Sequence, residues 1–182
     1  MRAELICHPD TPAVAVRSVA VDVELSFEDG FALRFMVEGD IDALLLPQGE
    51  GELVIADAAT DGLWQSSCFE AFLTDAGEPD YTEFNYAPDG RWACYQFDDY
   101  RALLHPDELA PWVMAAEKGA DHYALRVEPG IFPEEDSKLA LSAVIEERDG
   151  TKSYWALHHP PGKPDFHHPD CFRLALGAPP AP

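Results

Sequence analysis

Positive charge is what this sequence lacks most. Only 12 Lys and Arg stand against 34 Asp and Glu, a formal net charge of −22 with histidine neutral. Nucleic-acid partners need clustered cations against phosphate, so that class is not expected, and an anionic membrane surface falls with it. Long apolar runs are missing too. The longest, at residues 43–47 and 139–145, are of strand length, which leaves no membrane span. The opening residues Met1 to Pro9 have no apolar stretch of signal-peptide length, so a cytoplasmic protein is expected. Cys7, Cys68, Cys94 and Cys171 are widely spaced with no CxxC pair, which reads as thiols in a reducing compartment. No GxSxG elbow, phosphate-binding loop or GxGxxG motif occurs, so the chain is not read as an enzyme.

What is present is alternation. Val21, Val23, Leu25 and Phe27 alternate with polar residues, and after Asp29-Gly30 the period continues through Phe31, Leu33, Phe35 and Val37. A half-buried strand points every second side chain inward, so this is a hairpin. Leu139, Leu141, Ala143 and Ile145, then Asp149-Gly150 and residues 153–157, repeat the pattern. Further strands are expected at 63–74, 81–86, 91–97, 122–128 and 171–176, with an early one near 4–8 or 13–17. Residues 108–118 read as a short helix or a strand at 112–116, the strand being preferred. A single helical turn is expected over 132–136. Most of the 16 Pro and 12 Gly punctuate these runs. The fold class expected is all-β: a two-sheet antiparallel β-sandwich, one domain over residues 1–176, with a frayed Pro-rich tail at 177–182.

Three clusters carry chemistry. In the first, LWQSSCFEAFL (63–73), Glu70 has apolar neighbours on both strand faces. A carboxylate there either meets a partner, faces a polar cavity or lies on an exposed outer face. Trp64 is a stacking platform for a sugar or part of the core. In the second, YTEFNYAPDGRW (81–92), Asn85 sits between aromatics, where it can fix ligand hydroxyls or bond to local backbone. The third runs from Tyr154 to Phe172 and holds His158, His159, His167 and His168 on a proline-stiffened connection with Asp165. These five residues are the candidates for a metal site, although the spacing matches no standard motif; the alternative is a loop ordered for structural reasons. In that case Phe166 should anchor the loop in the core.

These clusters, in this order, resemble the DOMON-like domain family, which is similar to family 9 carbohydrate-binding modules. The matching segments are residues 63–73, 81–101 and 153–172. The resemblance implies a jelly-roll-like sandwich with a ligand cavity, taking a saccharide or haem. It places Trp64, Glu70 and Asn85 around that cavity, with Arg91 and Trp155 as further matches. Cys68 stands where many such modules have a second acidic residue for calcium. The leading expectation is a small-molecule binding domain without a cofactor, its ligand a saccharide or sugar-like metabolite. The alternatives are a haem or divalent-metal protein, with Met36 or Met114 as the partner of a haem-ligating histidine, and a protein-interaction domain.

Overall fold

A computed structural model describes residues 1–26, 30–47, 51–75, 77–134 and 136–177. Alternating apolar residues make these segments strands, because only a sheet buries one parity and exposes the other. In chain order the strands are β1 (Arg2–Cys7), β2 (Val16–Ser26), β3 (Gly30–Gly39), β4 (Gly51–Glu52), β5 (Cys68–Thr74), β6 (Tyr81–Tyr86) and β7 (Trp92–Asp99). They continue as β8 (Ala102–Asp107), β9 (Val113–Lys118), β10 (His122–Glu128), β11 (Lys138–Glu146), β12 (Lys152–Ala156) and β13 (Leu174–Ala175). No α-helix occurs among the described residues, only three short 3₁₀ turns.

Every strand pairing described is antiparallel. The order β4-β9-β10-β3-β2-β1-β12-β11-β5-β6-β7-β8 forms one path, with β13 beside β11. β1 is the seam: Leu5 pairs with Val19 on one side, and Cys7 with Trp155 on the other. The sheet curls until strands far apart in this order meet. Phe35 of β3 lies 5.2 Å from Phe69 of β5, and Tyr123 of β10 stacks on the same ring at 6.3 Å. Val21, Leu33, Phe35, Phe69, Phe84, Tyr123, Leu141 and Trp155 share the resulting core.

Both predicted hairpins form, β2–β3 and β11–β12. Gly150 closes the second at φ +92, a left-handed conformation natural to glycine. Phe27, Asp29, Glu135 and residues 178–182 of the Pro-rich tail lie outside the described residues. The segment 112–116 is a strand, as preferred, within β9. The other differences have local causes. Residues 63–65 form a 3₁₀ turn after Gly62 at φ +76, so that strand begins only at Cys68. A similar turn at Pro169–Cys171 shortens the last strand to β13. Residues 131–134 are irregular rather than helical. β8 has no alternation to reveal it, being an almost fully exposed edge strand that carries Pro106.

Glu147 pins the curl. Its buried carboxylate accepts hydrogen bonds from the backbone of Val14 at 2.8 Å and Ala15 at 2.9 Å, tying the end of β11 to the approach to β2. Glu147→Ala deprives two partly buried backbone donors of a charged acceptor and should cost about 1–3 kcal/mol. Urea unfolding measures this. A loss below roughly 0.5 kcal/mol, the level of an ordinary surface change, would show that the carboxylate does not hold the two ends together.

Candidate functional site

The face of β5, β6, β7 and β11 turned away from the core is unusual in its polarity. The register aligns Ser142, Glu70, Asn85 and Ala93 across four strands, and Ala140, Phe72, Glu83 and Tyr95 in the next row. Glu70 and Glu83 are therefore diagonal neighbours on one face. The proline- and histidine-rich connection between β12 and β13 packs against this face, where Cys171, Phe166 and Phe172 join Phe72, Tyr81 and Phe97 in a second apolar cluster. Between connection and sheet lies a cavity of about 370 Å³. Trp64, Tyr95, Tyr154 and Phe166 supply aromatic walls, with Glu70, Glu83, Arg101 and His167 as its ionisable groups. A second hollow, between Pro79, Tyr100, Lys138 and Phe172, shares His167 with it.

Hydrogen bonds fix these polar groups. Glu70 accepts from Ser142 Oγ at 2.9 Å, and Glu83 accepts from Asn85 Nδ2 at 2.7 Å. Asn85 Oδ1 in turn accepts from Cys68 Sγ at 3.5 Å. Burial pushes the Glu70 carboxyl up to about 8, reinforced by the charge of Glu83. Burial likewise raises Glu83, to about 7, against the opposing effects of Asn85 and Arg101. His167 is moved the other way, down to about 4, by burial first and then by Arg101. Tyr81 accepts from the Arg101 backbone N–H at 3.2 Å, so its own proton is free for His167 Nδ1 at 2.9 Å. The neutral imidazole then presents Nε2–H toward Glu83 Oε2, 3.8 Å away. Arg101 occupies the β7–β8 turn at φ 54 and is held by Asp165, with Nη2 2.8 Å from Oδ1. Tyr100 donates to the other Asp165 oxygen at 2.5 Å.

Of the residues expected from sequence, Trp64 and Glu70 line the cavity, and Trp64 is 45% exposed. Asn85 stands beside Glu70 in the same row, fully buried and outside the cavity lining, and orients Glu83. Arg91 is placed elsewhere, ion-paired with Asp89 at 2.9 Å. Trp155 has the opposite parity and sits in the core, its Nε1–H donating to Ser153. The four histidines make separate contacts. His159 reaches the Ile6 carbonyl and the ring of His8, His167 joins the cavity wall, and His168 accepts from the Asp170 N–H to cap a turn. Cys171 Sγ donates toward the His158 carbonyl. Among the described residues no group of three or more His, Cys, Asp or Glu is placed to hold a metal ion. Met114 is buried in the core and Met36 Sδ lies against Arg34, so both are engaged away from the connection.

Phe166 corrects one expectation. It is half-buried and lines the cavity, packing on Tyr154 at 6.1 Å. The anchor is the next residue, His167, whose ring meets Phe72 at 5.2 Å and Phe97 at 5.1 Å. Phe166 and His167 form a turn, which directs the two rings differently, and the hydroxyl of Tyr81 holds the imidazole at Nδ1. Glu83, Tyr95, Arg101 and Tyr154 were not foreseen as site residues. Glu83 was accessible to the parity argument, because it shares a face with Asn85. Arg101 gave no sequence signal, since its position depends on a two-residue turn.

No family model matches the chain, and no curated protein matches it. Among solved structures it is similar to the crystal structure of a "putative carbohydrate-binding protein" from Bacteroides uniformis ATCC 8492. The TM-score is 0.56 at 12% identity, over 94% of this chain and 84% of the other. That likeness shows a shared β fold.

The carboxyl pair gives stability a pH dependence. Both groups have an ordinary value of 4.5 and ionise higher in the fold, so stability present below that value is lost as pH rises through 7 and 8. His167 acts oppositely, losing stability as pH falls from 6.5 toward 4. Above pH 6.5 the carboxyl effect is joined by exposed His122, whose imidazole Glu117 and Asp121 hold above its ordinary value, and a Glu70 variant separates the two. Wild-type stability to urea should drop by more than about 1 kcal/mol between pH 6.5 and about 8.5, and Glu70→Gln should remove most of the drop. Parallel curves for wild type and variant would contradict this assignment.

Proposed function

We propose that the chain is a non-catalytic binding domain whose cavity takes a saccharide. The observation that carries this reading is the convergence of exposed Trp64 and half-exposed aromatic rings with two carboxyls, an arginine and a histidine in one hollow. Sugar rings offer an apolar face for stacking and a rim of hydroxyls that donate to carboxylates and accept from guanidinium or imidazole. About 370 Å³ is also within the ordinary range of small-molecule sites. The structural likeness to a protein described as carbohydrate-binding supports the same reading.

In this reading the curled sheet is a jelly-roll-like sandwich joined at β1, one domain over residues 1–176 of the DOMON-like kind, related to family 9 carbohydrate-binding modules. Four unpaired cysteines support a reducing compartment such as the cytoplasm.

Tryptophan emission tests the proposal, because the four indoles differ in environment. Trp92 and Trp155 are buried, whereas Trp64 and Trp112 are exposed and only Trp64 lines this cavity. A monosaccharide and oligosaccharide panel should change the emission of the wild type and of Trp112→Phe but not that of Trp64→Phe. No change with any saccharide, together with no thermal shift, would overturn the reading.

A further inference from the structure

We propose that the saccharide carries a protonated amine, so that the cavity selects an amino sugar over its neutral counterpart. The inference rests on the saccharide reading and concerns the two carboxyls. One oxygen of Glu70 is occupied by Ser142, and one oxygen of Glu83 by Asn85. Among the described residues the second oxygen of each accepts no hydrogen bond; Glu83 Oε2 is 3.8 Å from His167 Nε2, too far to be one. Both residues are more than nine-tenths buried and both line the cavity. Two acceptor oxygens thus open into one hollow with their hydrogen-bonding capacity unused by other side chains, and a ligand there would replace the water that meets them.

Charge points the same way. The one basic side chain of the cavity lining that is always charged is Arg101, and its guanidinium is already matched by Asp165 at 2.8 Å. His167 is neutral above its lowered titration range. Glu70 and Glu83 are left without a counter-ion of their own. A neutral sugar can donate hydroxyl hydrogens to the free oxygens but cannot offset the charge. An alkylammonium does both, since it brings three donors and a positive charge. The rings of Trp64, Tyr95 and Tyr154 add faces that attract such a cation. A quaternary amine could use the rings but has no hydrogen for the carboxylates. Calcium requires six to eight oxygens, and the aromatic and aliphatic part of this wall offers none. The net charge of −22 draws cations toward the protein and disfavours anionic sugars.

The test is calorimetric titration of the full chain at about pH 7, where Glu83 is about half ionised and a bound ammonium draws the pair further toward the charged form, with D-glucosamine, D-glucose and N-acetyl-D-glucosamine. N-acetylation keeps the nitrogen and removes its charge. Wild type should bind glucosamine at least roughly tenfold more tightly than either neutral sugar, the advantage of a charge-assisted contact in a desolvated site. Glu83→Gln and Glu70→Gln should bring the glucosamine-to-glucose ratio toward one, with urea unfolding confirming that each variant is folded. Equal binding of all three sugars would overturn the amine claim and leave the saccharide reading intact. Binding of none would overturn both. Calcium chloride supplies a last arm: displacement of glucosamine by calcium, abolished in both variants, would assign the carboxyl pair to a metal ion instead.

Discussion

Two carboxyls on the same face of one sheet, without a cation of their own, are the constraint around which the site is arranged. Burying a charge is costly unless it is paired or neutralised. Glu70 and Glu83 are adjacent across β5 and β6, so each makes ionisation of the other harder. The surroundings respond accordingly. Ser142 and Asn85 each satisfy one oxygen, Cys68 orients Asn85, and His167 faces the pair as a neutral ring. Arg101, the nearby cation, is drawn aside by Asp165. What remains exposed to the cavity is acceptor capacity and latent negative charge, framed by aromatic walls.

The connection between β12 and β13 makes the cavity a cavity. Without it, the row of Phe72, Glu83 and Tyr95 would be the outer surface of a sheet. Its order comes from several independent contacts. Cys171 Sγ donates to the carbonyls of His158 and Asp165, His8 reaches the Gly162 carbonyl, and Asp165 gathers Tyr100 and Arg101. Proline at 160, 161, 164 and 169 lowers the freedom of the unfolded segment, so these contacts have less entropy to offset. The β7–β8 turn and this connection are thereby locked to each other, and they position Arg101 and His167 together.

The all-β architecture was legible because hairpins announce themselves through parity and Asp-Gly turns. β2 and β3 follow the pattern closely, and β11 carries the same alternation of residue type although residues 139–145 are buried on both faces. β8 did not, since an exposed edge strand has no inward face to encode. The position of Glu70 among apolar residues was the best clue to the site, because parity made its burial a question with few answers. Trp155 shows the limit of the same logic: which parity faces the core depends on the register through β1, and that is a long-range pairing. Long-range geometry also explains why Arg101 and the true contacts of His167 were not readable. The loop histidines looked like metal ligands in one dimension and separate in three.

The central claim is that Glu70 and Glu83 titrate far above ordinary carboxyls inside a cavity that a ligand can enter. Side-chain ¹³C chemical shifts of glutamate, followed from acid to mildly alkaline pH, measure it directly, with Glu→Gln variants for assignment. The account predicts two glutamates with midpoints near 7 and 8, well above the ordinary 4.5, and a downward move of both when a bound amine occupies the cavity. If every glutamate titrates near 4.5, the pair is not buried as described, and the account fails at its foundation.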